Sequence, residues 1–525
     1  MSEDLHHECG VAALYWLDEP VNGWAFPGAE RKTNDVAPLL PPMLLDLQNR
    51  GQLASGFSTY STDRVQRLDT FKNIGTVNEV FHMSQPERHE AILSEYGGRA
   101  GIGHTRYATS GADDARYAQP FERHHARLWK WFSFGFNGTL SNYTSLHDHL
   151  NKKRGYHFSL ETDTEIIMHT LAYGLRGEKM SSLKKVMSEV ADQFDGAYNI
   201  VFLDAEGRLF AARDPFGFRP MHWAVQGRLF AAASESVALA NMGFTEIHAL
   251  EPGQMAIVER GKLRFERFAP VRAKSRCFFE WVYFANVASE IDGASVYRSR
   301  AAAGKQLAEM EDQEIDDDCI VVPVPDTAKA AADSFAFHLK IPCMEGLIRN
   351  RHVGRTFIQP DSTRGDAARK KYTPLPSVLE GKRIFLVEDS IVRSTTLQTL
   401  VKQVSKRGRG RASEVHVRVA CPPIISPCFY GIDMSTLDEL FAREFIGRGY
   451  KGNPRPEMLE KMAKKLGVDS LRYLPVDDLG TVIGCEREPL CLGCVTGKYP
   501  TPWGNRLIRQ AKKNQKQGVA GRTYG

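Results

Sequence analysis

Ile384 to Thr396 reads I-F-L-V-E-D-S-I-V-R-S-T-T, and the reading of this stretch decides the second half of the fold. Four apolar residues in a row have the pattern of a buried parallel strand. Two adjacent acids follow, Glu388 and Asp389, then the small hydroxyl residues Ser390, Ser394, Thr395 and Thr396. An apolar segment of helix length comes next, L-Q-T-L-V-K-Q-V. A strand that empties into a hydroxyl-rich turn and a helix start is suited to an anion, because backbone N–H groups and the positive helix end converge there. The acids fall at the carboxyl end of the strand, where open α/β sheets bind ligands. They suit two neighbouring ribose hydroxyls or the surroundings of a Mg²⁺ ion. A solvated strand–turn–helix would account for the acids alone, but not for acids and phosphate-binding hydroxyls together.

Working outward, the apolar run C-I-V-V-P-V-P-D-T-A (Cys319 to Ala328) precedes the helical A-A-A-D-S-F-A-F-H-L. This is a second strand–loop–helix anion site, with Thr327 placed to offer a hydroxyl near a cation. Strands near residues 320, 343 and 384 with helices between them predict a parallel α/β sheet. Between the two cradles lies R-N-R-H-V-G-R-T-F-I-Q-P (Arg349 to Pro360), a basic loop continuing to Lys371.

Length and composition frame the rest. The 525 residues exceed one hydrophobic core, and the 42% hydrophobic and 25% charged content is that of a soluble globular chain. No apolar run is long enough to span a bilayer, and M-S-E-D-L-H-H-E has no signal-peptide character, so a cytoplasmic location with no membrane partner is expected. The net charge is +5, yet residues 505–525 hold six Lys/Arg and no acid. The remainder is close to neutral, which argues against a nucleic-acid-binding body. The basic, Gln- and Gly-rich end reads as disordered. Nine cysteines without secretion point to thiol chemistry or metal ligation, not to a disulfide framework.

In the first half, Cys9-Gly10 opens a strand-like V-A-A-L-Y-W. Downstream come L-Q-N-R-G-Q (Leu47 to Gln52), G-H-T-R-Y-A-T-S-G (Gly103 to Gly111), A-Q-P-F (Ala118 to Phe121), F-N-G-T-L-S-N (Phe136 to Asn142), T-D-T-E (Thr162 to Glu165) and R-D-P-F-G-F-R-P (Arg213 to Pro220), with a helical stretch at 181–193. Taken singly, Asn137-Gly138 is also a hairpin turn signal and Asp163 an ordinary helix cap. In this order, the six resemble the motifs of class II glutamine amidotransferase domains, N-terminal-nucleophile hydrolases of αββα architecture. The stretch around residue 390 resembles the phosphoribosyl pyrophosphate (PRPP) loop of type I phosphoribosyltransferases. The amidophosphoribosyltransferase family carries both.

That resemblance implies an α+β αββα glutaminase domain over 9–270 and an α/β phosphoribosyltransferase domain with a parallel sheet over 276–484, joined near 268–275. A leader, 1–8, is expected to be removed, so that Cys9 becomes the nucleophile and its freed α-amino group, of pKa about 7.7–8.0, the base. Asn137 and Gly138 would form the oxyanion hole. Arg106 would take the glutamine carboxylate, Asp163 its ammonium, and Arg50 would shape the pocket. For PRPP, the resemblance implies Ser390, Arg393, Ser394, Thr395 and Thr396 on phosphate, Glu388, Asp389 and Thr327 around Mg²⁺, and Arg351 and Arg355 on a closing loop. It also implies purine nucleotide inhibitors and a homotetramer.

Cys277, Cys428, Cys491 and Cys494 would suit zinc or a [4Fe–4S] cluster equally on spacing. The resemblance to a cluster-bearing subfamily favours the cluster, with 485–504 as its segment and Cys485 the rival ligand. Departures from the family pattern are Glu388 for Asp, Ser394 for Gly, Asn49 for His and Phe136 for His. Ser394 predicts a looser phosphate grip, since Gly reaches positive φ and allows close backbone approach. Residues 21–42 and 84–98 read as surface insertions. A different glutamine-dependent PRPP transferase, or a non-catalytic PRPP or nucleotide sensor, would share most of these features.

Overall fold

The computed structural model describes residues 9–21, 34–107, 114–160, 162–350, 371–432, 434, 436–446, 450, 452–485, 489–519 and 523. The leader, Arg351 and Arg355 lie outside them.

The strand Gly10–Trp16 forms as read, and it sits inside a seven-stranded antiparallel sheet between Ala100–Arg106 and Leu229–Ala233. A second, six-stranded sheet is centred on Phe132–Leu140 and Gly196–Asp204. Alternation sorts the side chains of the first strand. Val11, Ala13 and Tyr15 pack against Val201 and Leu203 of the second sheet. Ala12 and Leu14 face the helices Leu40–Asp46 and Ser236–Asn241. The far face of the second sheet buries Phe132, Phe134, Ile200 and Phe202 under the helices Asp163–Gly174 and Leu183–Gln193. The layers are therefore helix, sheet, sheet, helix.

The expectation of a surface insertion over residues 21–42 is corrected for its second part. Val36, Ala37, Leu40, Met43 and Leu44 are fully buried. Pro41 near the helix start fixes its first turn, and Leu40, Met43 and Leu44 fall on one face at helical spacing. The helix Pro86–Glu95 buries no residue, so the second insertion does lie at the surface.

The second half is built on a four-stranded parallel sheet in the order Cys319–Pro323, Arg383–Glu388, Glu414–Val419, Ser470–Tyr473. Cys343 adds a parallel bridge to Val321. The helix expected from 298 to 310 spans Val296–Glu309 and packs closely on Lys329–Leu339, where a Cβ on Gly304 would lie 2.0 Å from the Ala331 carbonyl oxygen. Helix Thr395–Val404 buries Leu397, Leu400, Val401 and Val404 against the sheet.

The tail as far as Val519 corrects the reading of 505–525 as disordered. Pro502–Lys516 is a helix whose Thr501 cap accepts from the Gly504 N–H at 3.1 Å. Its Leu507, Ile508 and Ala511 pack with Phe216, Phe218, Tyr430 and Tyr499. Composition hid a narrow apolar stripe among basic residues, and tertiary burial stabilises it. The linker near 268–275 is likewise pinned, with the Ser275 N–H on the Phe216 carbonyl at 2.9 Å. Among the described residues, no helix is long and apolar enough to cross a membrane.

Candidate functional site

Cys9 stands half-buried at the head of its strand, its thiol 4.0 Å from the Tyr107 carbonyl oxygen. Burial pushes the thiol up to about 11, with the Tyr107 backbone and Arg106 opposing and Asp163 adding to it. Thiol, guanidinium and carboxylate therefore lie within one another's fields, although they come from three separate segments. Arg106 is 7% exposed at the end of Ala100–Arg106, its guanidinium 5.4 Å over the Tyr117 ring. Asp163 opens the helix Asp163–Gly174, while the cap is Thr162. Burial raises the Asp163 carboxyl to about 6 against backbone hydrogen bonds and Arg106.

Asn137 and Gly138 lie inside the strand Phe132–Leu140, not at a hairpin turn. Gly135 packs against Val11 and His104 across the two sheets, and Asn137, two residues on, shares that face. Asn137 is fully buried, and neither its Nδ2 nor its Oδ1 has a hydrogen-bond partner among the described residues. A buried amide unpaired at both ends is expensive and asks for a ligand. Gly138 has φ +146°, and a Cβ there would lie 2.0 Å from the Ala197 carbonyl oxygen, so only glycine fits.

In the second half, the two cradles meet. The Thr327 hydroxyl donates to Asp389, and the Ser390 hydroxyl donates to the other carboxylate oxygen at 2.6 Å. The Asp389 N–H donates to the Glu388 carboxylate at 3.1 Å. They border a cavity of about 250 Å³ walled also by Arg393, Thr396, Arg349 and Lys371. Ser394 and Thr395 stand beside it at the start of helix Thr395–Val404. Arg349 pairs with Asp326 at 2.7 Å, and Arg393 reaches Glu439 at 3.4 Å. Ser394 has φ −93°, a conformation open to any residue, so its replacement of Gly strains no backbone here.

One loop joins the two sites. A Cβ on Gly51 would lie 2.6 Å from the Arg106 backbone, while Asn49 and Phe284 line the cavity beside Glu388 and Asp389. Between them, Arg50 is committed to two buried carboxylates, Glu235 at 2.6 Å and Glu280 at 2.8 Å. Its guanidinium thus works at the domain boundary. Arg219 continues the network to Glu280 and donates to the Tyr430 carbonyl at 2.7 Å.

Residues 104–241 match the family model described as a glutamine amidotransferase domain. The amidophosphoribosyltransferase of Methanothermobacter thermautotrophicus is 36% identical over 507 residues, covering 95% of this chain and 96% of the relative. That of Bacillus subtilis is 35% identical over 505 residues, 95% of each chain. The solved B. subtilis glutamine PRPP amidotransferase, complexed with ADP and GMP, matches with a TM-score of 0.78 at 33% identity, covering 94% of this chain and 98% of that one. The chain belongs to the amidophosphoribosyltransferase family.

Family members join a glutaminase to a phosphoribosyltransferase, and the αββα sandwich and parallel α/β domain found here are those two parts. The four cysteines singled out from sequence converge in the structure. Cys277 and Cys491 are register partners on the parallel strands Arg276–Cys277 and Leu490–Cys491. The Cys494 carbonyl accepts from Ile425 and Ser426 just before Cys428, whose sulfur accepts from the Tyr430 N–H at 3.3 Å. Burial raises the Cys277 thiol to about 11 and those of Cys491 and Cys494 well up, with neighbouring thiols of the set adding to each. Among the described residues, no three ligand side chains gather tightly enough for a single metal ion. Cys421, outside that set of four, is buried within the fields of both Asp389 and Cys277.

The sequence reading missed Asn49 as a cavity residue and Glu235, Glu280 and Arg300 as buried charges. Arg300 is 6% exposed, caps the Trp281 and Ala285 carbonyls at 2.9 and 2.8 Å, and feels both Asp389 and Glu235. A signal for Glu280 was present: a lone carboxylate inside C-F-F-E-W-V-Y-F requires a buried partner.

Proposed function

We infer that the chain converts glutamine, PRPP and water to 5-phosphoribosylamine, glutamate and pyrophosphate, the opening step of purine synthesis. The observation that carries this reading is the meeting of Thr327 with Asp389 in a cavity that the glutaminase loop also walls through Asn49.

In the glutaminase, a thiol held near 11 is protonated at neutral pH, so attack on the amide needs a base. The α-amino group freed by loss of residues 1–8 supplies one. The unpaired Asn137 amide and the Gly138 N–H stabilise the tetrahedral oxyanion. Arg106 holds the glutamine carboxylate and Asp163 its ammonium, with Arg50 bracing the loop behind them. Ammonia then passes between the domains.

In the second domain, the bond from C1 to the pyrophosphate oxygen breaks and a bond from C1 to nitrogen forms with inversion. Ser390, Arg393, Ser394, Thr395 and Thr396 hold the ribose phosphate, while Arg351 and Arg355 neutralise the departing pyrophosphate. Glu388, Asp389 and Thr327 offer hard oxygen donors fit for Mg²⁺, which would neutralise phosphate charge when bound. Cys277, Cys428, Cys491 and Cys494 are a thiol set fit for a [4Fe–4S] cluster, which would clamp segments far apart in sequence. We place the glutaminase at 9–270 and the transferase at 276–484, in a cytoplasmic homotetramer inhibited by purine nucleotides. The relative solved with ADP and GMP supports the nucleotide part.

The test is a product assay with PRPP, Mg²⁺ and free ammonia. Phosphoribosylamine and pyrophosphate should form without glutamine, and Cys9→Ser should keep this reaction while losing the glutamine-dependent one. Failure to consume PRPP would refute the reading of the second domain.

A further inference from the structure

Ammonia that reaches the transferase cavity must present its lone pair to C1. Its three N–H bonds therefore point away from the sugar, and an acceptor on the protein can fix that orientation. Asn49 offers one. It lines the cavity from the glutaminase side, on the loop whose other end touches Arg106. Its Nδ2 donates to Glu235 at 2.7 Å and to the Phe284 carbonyl at 3.2 Å. Both partners are acceptors, so the amide can only lie this way round. The Oδ1 is buried and has no hydrogen-bond partner among the described residues. Glu235 is itself fixed, accepting from Arg50 at 2.6 Å and from the Asn286 N–H and Ser289 hydroxyl at 2.7 Å each. The unpaired acceptor is thus held rigidly at the wall that divides the two activities.

We propose that Asn49 Oδ1 receives ammonia as it enters the PRPP cavity, accepting one N–H and turning the lone pair toward C1. The inference rests on the amidotransferase reading of the cavity. A histidine at this place would offer the same pair of functions. A neutral imidazole donates to Glu235 with one nitrogen and keeps an acceptor on the other.

The experiment uses the full-length enzyme with free ammonia and PRPP in place of glutamine. If the unaltered enzyme does not consume PRPP with ammonia, the functional reading fails before this one is reached. If it does, Asn49→Leu should lower kcat/KM for ammonia about tenfold, a step of about 1.4 kcal/mol. The KM for PRPP should move less than twofold, and Asn49→His should restore kcat/KM for ammonia to within about threefold. Should the leucine variant fail to fold, Asn49→Ala removes the same acceptor without added bulk. Ammonia kcat/KM retained within twofold in a folded variant overturns the proposal. So does a parallel loss of PRPP affinity and thermal stability that histidine does not rescue, which marks a purely structural residue.

Discussion

Replacing Asn137 with leucine should make the protein more stable and nearly abolish its glutaminase. Both ends of this fully buried amide lack a partner among the described residues. A buried polar group left unpaired costs about 1–3 kcal/mol, and an apolar side chain of similar size removes that cost. The strand Phe132–Leu140 keeps its pairing, because Asn137 opposes Asn199 through backbone register alone. An unfolding unit of 150–250 residues shifts roughly 2–4 °C per kcal/mol, so a rise in Tm of about 2–12 °C is expected. Loss of an oxyanion donor should lower kcat by about 10²–10³. Ammonia-dependent synthesis of phosphoribosylamine should persist, since the transferase cavity is untouched. Thermal unfolding and glutamate release, measured on the mature enzyme, read both halves of the trade. A variant with lower Tm and undiminished glutaminase would refute the assignment of Asn137 to the oxyanion.

Three further outcomes are expected. Burial holds the Asp163 carboxyl near 6, above its ordinary 3.8, so the ionised form needed for the glutamine ammonium is lost as pH falls through that value. KM for glutamine should then rise about tenfold per pH unit below 6, and an Asp163→Asn variant should show a high, flat KM; a wild-type KM constant down to pH 5 would exclude Asp163 from ammonium binding. Ser394→Gly should change the KM for PRPP by less than about threefold, because φ at 394 is already negative; emergence of activity from near zero in that variant would instead support a non-catalytic sensor. Leu507→Ala should lower stability by about 2–5 kcal/mol, as for other buried leucines, since Leu507 docks the last helix on Phe216 and Tyr430; a Tm within 1 °C of the parent would mean that the helix does not pack as described.

Much of this architecture was legible because its signals are local. Ile384 to Thr396 and Cys319 to Ala328 each carry strand, turn chemistry and helix start within about a dozen residues, and they fold side by side. The thiol site was legible as an ordered series of short segments, which the sheets then bring around Cys9. What escaped is non-local. Nothing in L-Q-N-R-G-Q shows that Asn49 faces one cavity while Gly51 abuts the wall of another. The Arg50–Glu235–Glu280–Arg219 network joins residues up to 230 positions apart, and pairing of that kind leaves no periodicity. The helix Pro502–Lys516 was hidden by composition, because an apolar stripe of three residues is overwhelmed by the surrounding basic ones. The core helix Leu40–Asp46 was hidden by its two prolines, which break a helix interior but suit its first turn.

The central claim is that nitrogen released at Cys9 reaches PRPP inside one molecule. It is tested most directly by supplying glutamine labelled with ¹⁵N in the amide, together with PRPP, Mg²⁺ and an excess of unlabelled ammonium. The phosphoribosylamine should carry mostly ¹⁵N and form in near-equal amount to glutamate. Product labelled only to the extent of the bulk ammonium pool would contradict the claim.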